Sequence, residues 1–327
     1  MKVSFIIPLY NGLSLTQAML ESLRATLPAG LDHEIILVDD GSTDGTRTWL
    51  AGLPPPCHGL LNERNCGFAA TCNRGAAAAG GDLLFFLNND LVLLPGWLQP
   101  MLAAFDRFPR TGVVGNVQLA FASGAVDHTG IFFNHKGKPE HDTRRSLGAY
   151  READAVTGAC CAVRREVWRQ LGGFDEGYAN GCEDVDLCLR ARAAGLVNRV
   201  ALRSVVRHHV SASAGRKRRD EQNTARLHRR WRAAIIPRIL DGCSRVCLAA
   251  SWEEPRNFPD PRLARDAFLY LGGLLPEPSG PLLRAAEALL NIEQVRWAHL
   301  LEGAPLPPER QTAPQFHPVI PEDPPVF

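Results

Sequence analysis

The chain has 327 residues, 36 Lys and Arg against 35 Asp and Glu, and 45% hydrophobic residues. That length allows one large or two ordinary domains with a sizeable buried core, and the balanced charge gives no ground for a nucleic-acid partner. Nine cysteines, an odd number without a CxxC pair, argue against a closed disulfide set or a zinc site and fit reduced thiols in the cytoplasm.

The segment MKVSFIIPLYNG holds a short apolar run that Pro8, Tyr10 and Asn11 interrupt, and it lacks the features of a secretion signal. No apolar run reaches the roughly 18 residues of a membrane span. The expected location is cytoplasmic, with at most peripheral contact at the inner face of a membrane.

VSFIIPL (3–9), EIILVDD (34–40) and LLFFLNND (83–90) are short apolar runs ending in polar loops, which predicts strands. Between them, SLTQAMLESLRATL (14–27), DGTRTWLAGL (44–53) and the Ala-rich FAATCNRGAAAAG (68–80) predict helices, the second closed by the prolines at 54–56. Strand–helix–strand alternation at this spacing predicts βαβ units, an α/β fold and a mostly parallel sheet. Ligands of such sheets sit at the carboxyl ends of the strands, where YNG, DDGSTDG and NND fall.

Further along, GVVGNVQLAF and AVTGACCAVRR predict strands, and the polar NHKGKPEHDTRR between them predicts an exposed loop. REVWRQLGGF (165–174) predicts a short helix ended by Gly172-Gly173, and RVALRSVVRHH (199–209) a last strand. RKRRDEQNTARLHRRWR (216–232) has helical character and eight Lys and Arg in seventeen residues. Residues 233–303 predict helices broken at Pro237, Pro255 and Pro276, followed by a Pro-rich irregular tail.

Four polar clusters stand at predicted element ends. Asp39 and Asp40 follow IILV directly; Asp44 or Thr43 can cap the next helix, but that leaves the two acids unexplained, and carboxylates there can accept hydrogen bonds from a base edge or ribose. Asn88, Asn89 and Asp90 form either an Asn-rich turn or an oxygen-ligand set for a hard divalent cation. His208 and His209 end the last strand, where neighbours point to opposite faces, so one of them reaches a site. Glu183, Asp184 and Asp186 open a helix; the macrodipole favours acids there by about 0.3–1 kcal/mol each, which accounts for one or two of them. Asp186 also lies four residues before Arg190, suited to an ion pair.

Taken in order, VSFIIPLYNG, EIILVDDGSTDGT, NERNCGFAATCNRG, LLFFLNND, VTGACCAVRREVWRQLGGFDE, EDVDLCLRARAAG and HHVSASAG resemble the family 2 glycosyltransferases, most closely the rhamnosyltransferase-like branch, over residues 2 to 215. The resemblance implies a GT-A fold, Rossmann-like with a mostly parallel mixed sheet flanked by helices. It divides the chain into a GT-A domain (1–215), a helical C-terminal extension (216–303) and the tail (304–327). It also implies an inverting transferase that uses Mg2+ or Mn2+ and a nucleotide-sugar donor. Pro8, Tyr10 and Asn11 would line the nucleotide pocket and Asp39 would contact the base, with Asp40 and Ser42 beside it. Asn65, Gly67 and Asn73 would lie near the nucleotide and its diphosphate. NND occupies the DxD position: Asp90 would be the metal ligand, Asn88 stands where an Asp is common, and Asn89 lies between them. His208 would be the second metal ligand, with His209 the alternative. Asp184 would be the catalytic base, positioned by Glu183.

This branch implies a dTDP-rhamnose-like donor, with UDP-sugars the alternative, and a glycan or lipid-linked acceptor in surface polysaccharide assembly. The loop 134–145 would carry acceptor contacts. The basic run 216–232 is either a solvated face or a peripheral membrane contact. A nucleotidyltransferase would need a Gly-rich basic phosphate loop where PLYNGLSLTQA stands. A transferase-like nucleotide-sugar binding or scaffold protein without catalysis is the other alternative, and the intact Asp90, Asp184 and His208 count against it. The sequence carries no signal for oligomeric state.

Overall fold

Val3–Leu9 (β1) is apolar except for Ser4 and buried apart from Pro8, the pattern of a strand covered on both faces. The structure, a computed structural model, describes residues 1–144, 146–209, 216–253, 258 and 260–302. The end of the HHVSASAG motif (210–215), Pro255 and the tail from 304 lie outside the described residues. Leu13–Thr26 (α1) leads from β1 to His33–Asp39 (β2), which pairs in parallel with β1 so that Leu9 lies beside Asp39. Thr46–Ala51 (α2), Cys57–Leu61 (β3) and Phe68–Ala78 (α3) follow, with β3 parallel to β2. Leu83–Leu87 (β4) pairs in parallel with the other side of β1. The carboxyl ends of these strands therefore share one edge.

Leu91–Leu93 (β5), Leu98–Arg107 (α4) and Thr111–Ala120 (β6) come next. Three-residue strands then appear at Val126–His128 (β7), Ile131–Phe133 (β8), Pro139–His141 (β9) and Tyr150–Glu152 (β10). Cys160–Arg164 (β11), Arg165–Leu171 (α5), Glu183–Ala193 (α6) and Val197–His208 (β12) complete this part of the chain. The main sheet runs β10-β12-β6-β11-β4-β1-β2-β3, with β5 on β12 and β7 on β6. Strand β11 is antiparallel to both β4 and β6, whereas β12 is parallel to β6.

The segment expected to be an exposed loop is structured instead. β8 pairs with β9, and beyond β9 the Asp142 N–H donates to Gly130 O at 2.8 Å while Thr129 N–H donates to Asp142 O at 2.6 Å. Its carboxylate is buried because Arg144 and Arg151 each approach it to 2.9 Å. Charges that read as solvated in the sequence neutralise one another here.

On one face of the sheet Phe5, Phe85 and Trp97 form a ring cluster with centroids 5.5–6.3 Å apart, packed with Met19, Leu23, Met101 and Phe105 of α1 and α4. On the other face Phe86, Trp168 and Phe174 pack at 4.5–5.2 Å. There Gly75 lets α3 approach the sheet: a Cβ at this position would lie 2.5 Å from Ile6 Cγ2 and 3.0 Å from Val38 Cγ2.

Residues 1–132 and 139–223 form one compact unit; Phe133–Lys138 and the chain from Thr224 form a second. Arg216–Ile235 (α7) spans the division, and Leu240–Glu253 (α8), Pro261–Leu271 (α9) and Gly280–Glu302 (α10) follow. Within the second unit, buried His228 places Nε2 2.7 Å from Gly137 O. Among the described residues, no helix is long and apolar enough to cross a membrane.

Gly75→Ala is expected to destabilise the protein by about 1–3 kcal/mol in urea unfolding, although Ala is the better helix former, because the added methyl overpacks a rigid core. A stability equal to or above that of the wild type would contradict this packing.

Candidate active site

The loops after β1 and β2 lock onto each other. Asp40 N–H donates to Leu9 O at 2.7 Å. Asn11, with a left-handed φ of 57°, donates its N–H to Ser42 Oγ at 2.7 Å and accepts the Thr43 N–H on Oδ1 at 2.8 Å; asparagine is among the few residues that tolerate this conformation. Gly41 lies so close to the 64–65 backbone that a Cβ would sit 2.8 Å from the Asn65 nitrogen. Asp39 is fully buried; it accepts the Gly41 and Ser42 N–H groups and pairs with Arg47 Nε at 3.1 Å. Asp40 accepts from Asn62 Nδ2 and the Cys66 N–H, both at 2.8 Å, and from the Gly67 N–H at 3.0 Å. The two acids expected beside a base thus brace three loops. Tyr10, 54% exposed, and Asn65 have open side chains at this corner, and Pro8 is half-buried opposite Val38.

Helix α3 begins between two polar loops. Its Gly67 N–H is taken by Asp40, and its Phe68 N–H donates to Asn180 Oδ1 at 3.0 Å. Asn73, further along α3, accepts the Phe174 N–H and donates to Phe174 O, both at 2.9 Å, and donates to Glu176 at 2.8 Å. Gly67 and Asn73, expected near the diphosphate, are committed to these protein partners. Asn180 (φ 52°), Gly181 (152°) and Cys182 (69°) run consecutively through positive φ just before α6. Asn223 holds the preceding residue by accepting the Ala179 N–H at 3.0 Å and donating to Ala179 O at 3.2 Å. Backbone strain held in place by its neighbours is typical of functional sites.

At the end of β4, the Asn88 N–H donates to Ala159 O at 2.8 Å. Asn89 Nδ2 donates to Thr16 Oγ1 at 3.0 Å and approaches Asn11 O at 3.4 Å, joining NND to the first loop. The β5–β12 ladder sets His208 opposite Leu91, and the His209 N–H donates to Asp90 O at 3.1 Å. His208 Nε2 consequently lies 3.2 Å from Asp90 Oδ1. His209 turns away and stacks on Phe121, with centroids 3.6 Å apart, so the geometry favours His208 of the two. Among the described residues, neither Asp90 Oδ1 nor His208 Nδ1 has a hydrogen-bond partner.

This pair fits a divalent cation. Bonds of about 2.0–2.1 Å place adjacent ligands of an octahedral ion about 3 Å apart, close to the observed separation, and an undonated carboxylate oxygen is what a cation needs. Among the described residues, no group of three or more His, Cys, Asp or Glu could hold a metal ion. Waters and phosphate oxygens would therefore supply the remaining positions, as is common for Mg2+.

The acidic start of α6 reaches the same edge. Asp184 Oδ2 accepts the Gly158 N–H at 2.7 Å, and Oδ1 accepts the Val185 N–H at 2.8 Å. Gly158 precedes Ala159, the residue bonded to Asn88, so Asp184 meets the same strand end as NND. Burial raises the Asp184 pKa, against the lowering effect of the two N–H donors and of His141. Burial and then the neighbouring Asp184 charge push Glu183 up to about 8. Glu183 thus keeps its proton at neutral pH, and Asp184, with two N–H donors, carries the charge. Asp186 is fully buried and pairs with Arg190 Nε at 2.7 Å, so the third acid has a structural partner.

Several neighbours carry no sequence signal. Gly158 acts through its own backbone N–H, and Asn180 and Asn223 through side chains that hold the backbone of Phe68 and Ala179. Asp127, His128 and His141 sit on three-residue strands too short to show periodicity.

The family model for glycosyl transferase family 2 matches residues 4–172, just over half of the chain. The chain belongs to glycosyl transferase family 2. The O-antigen biosynthesis protein RfbC of Myxococcus xanthus is 34% identical to this family 2 chain over 227 residues, covering 65% of it and 18% of RfbC. The N-acetylglucosaminyl-diphospho-decaprenol L-rhamnosyltransferase of Mycobacterium tuberculosis is 28% identical over 226 residues, covering 60% of the chain and 74% of that protein. A crystal structure of GalNAc-T7 with UDP, GalNAc and Mn2+ matches with a TM-score of 0.60 at 17% identity, covering 94% of the chain and 59% of that one, and identifies the GT-A fold. The chain spans less than a third of the length of RfbC and of one further relative.

Glu183 ionises near 4.5 when unfolded but only near 8 in the fold. The stability it contributes is complete below pH 4.5 and lost as pH rises through about 8. Glu183→Gln is expected to flatten the fall in Tm between about pH 5 and 8. An unchanged slope would place an ionised Glu183 in the native protein.

Proposed function

We propose that the protein is an inverting, divalent-cation-dependent glycosyltransferase, with residues 1–215 as the catalytic part and 216–303 as a helical extension. The observation that carries this reading is the Gly158–Ala159 segment, which bonds Asp184 on one side and Asn88 on the other. The base thereby shares an edge with Asp90, His208 and the nucleotide loops.

Asp184 takes the proton from the acceptor hydroxyl as that oxygen attacks the anomeric carbon. The bond from that carbon to the diphosphate breaks on the opposite face, and the configuration inverts. Glu183, protonated, adds no second charge to repel the anion. Asp90 and His208 would hold Mg2+ or Mn2+, which when bound neutralises charge on the leaving phosphate. Asn88, in place of a second carboxylate, leaves the pair less negative than a DxD site. Tyr10, Asn11 and Asn65 line the corner where the nucleotide lies, and Asp39, Asp40 and Ser42 hold its loops.

The rhamnosyltransferase and O-antigen relatives support a surface-glycan role, a deoxysugar donor such as dTDP-rhamnose ahead of UDP-sugars, and an acceptor on a lipid diphosphate. The eight Lys and Arg of 216–232 would favour an anionic membrane face by about 1 kcal/mol each near its surface.

A panel of nucleotide sugars assayed for Mn2+-dependent nucleoside diphosphate release tests the reading. Asp184→Asn is expected to lower turnover about a hundred- to ten-thousand-fold while nucleotide binding persists, and EDTA to stop release. Full turnover by that variant would overturn the base assignment, and EDTA-insensitive release would overturn the metal requirement.

A further inference from the structure

We infer that Phe121 is a positioning residue for the cation pair: its ring stacks on His209 and so holds the end of β12 with His208 turned toward Asp90. The inference rests on the reading of Asp90 and His208 as the cation ligands and adds a residue outside both of their motifs.

The pair sits where the strand ladder runs out. His208 is the last residue of β12, opposite Leu91 at the start of β5 and Ala120 at the end of β6. Strand β5 has only three residues, and short ladder ends open readily unless something beyond them holds the backbone. Two hydrogen bonds do so here. On the β6 side the Phe121 N–H donates to His208 O at 2.9 Å, and on the β5 side the His209 N–H donates to Asp90 O at 3.1 Å. The backbones are thereby tied together at the point where His208 Nε2 comes to 3.2 Å from Asp90 Oδ1.

Those bonds hold the backbone but do not by themselves choose between the two histidines. Neighbouring side chains at a strand end point to opposite faces, and a turn of the backbone at this loose end would exchange them. The ring stack makes the choice. The Phe121 and His209 centroids lie 3.6 Å apart with planes 25° from parallel, a flat contact that fixes the orientation of an imidazole. Phe121 is itself held by the turn between β6 and β7, where Ala120 N–H donates to Ala125 O and Gly124 N–H to Ala120 O, both at 2.8 Å. Phe121 remains 41% exposed, so the ring is not there to fill the core. Among the described residues, no hydrogen bond to His208 Nδ1 steers its imidazole, and its aim follows from the backbone beneath it. A ligand set whose supporting groups are about 1 Å too loose loses its function.

The test is Mn2+ binding by the full chain, alone and with UDP or dTDP, read from the electron paramagnetic resonance signal of the free ion. Phe121→Ala is expected to weaken binding about tenfold, with a Tm near that of wild type because the ring is partly open. Phe121→Tyr keeps the stack and should bind within about twofold of wild type. His209→Phe keeps two stacked rings without the imidazole and should also bind within about twofold. Phe121→Leu, which has apolar bulk but no flat face, should weaken binding too and replaces the alanine variant should that one fail to fold. Unweakened binding in the alanine and leucine variants, or weak binding in Phe121→Tyr or His209→Phe, would overturn the proposal. Wild type that takes up no Mn2+, or Asp90→Asn that binds it as wild type does, would instead remove the cation reading beneath it.

Discussion

The hydrogen bond from the Gly158 N–H to Asp184, 2.7 Å long, joins two parts of the chain that otherwise have separate reasons to exist. Strand β11 is antiparallel to β4, with Cys160 beside Leu87, so the residues before β11 must lie beside those after β4. That register brings Gly158 and Ala159 next to NND. Helix α6 then needs to supply a single carboxylate to the Gly158 N–H for the proposed base to stand at the edge proposed for the metal. If the register slipped by one residue, every side chain on β11 would change face, and the buried Cys160 and Cys161 would exchange surroundings.

A second constraint works through carboxylates that do not react. Asp39 and Asp40 are buried in loops whose N–H groups they satisfy, and an unpaired buried donor would cost about 1–3 kcal/mol. Asp40 alone holds Asn62, Cys66 and Gly67, fixing the start of α3 against the second strand loop. Asn180 holds the next N–H of α3 from the side of α6. The helix start is thereby clamped between the loop after β2 and the loop before α6. This edge is built from polar groups that fix backbone, leaving Tyr10, Asn65, Asp90, His208 and Asp184 as candidates for ligand contact.

The legible part of the site is the part made of polar clusters at strand ends. NND, HH and EDVD stand out because several polar residues follow an apolar run, and the parallel β1, β2 and β4 are readable for the same reason. Sequence alone could not divide labour within a cluster. Asp39 and Asp40 look like ligand contacts, yet their partners are the Arg47 and Asn62 side chains and backbone N–H groups up to 27 residues away. Asn73 looks poised for a phosphate, but the Phe174 backbone that occupies it is 101 residues distant. The choice between His208 and His209 turned on Phe121 and on pairing with β5, a three-residue strand with no signature. The hairpin carrying His141 reads as a polar loop because the ion pairs that bury Asp142 are visible only in three dimensions.

The most direct test of the account is whether a bound ion and the base share one edge. Backbone amide spectra of the isotopically labelled protein, recorded with a nucleoside diphosphate and either Mn2+ or diamagnetic Mg2+, would map the position of the ion. Paramagnetic broadening should be strongest around Asp90 and His208 and should include the amides of Gly158 and Val185. The amides of Asp82 and Arg165, at the opposite end of the β4–β11 pair, should remain sharp. Broadening centred away from Asp90, or leaving Gly158 and Val185 untouched, would contradict a shared edge.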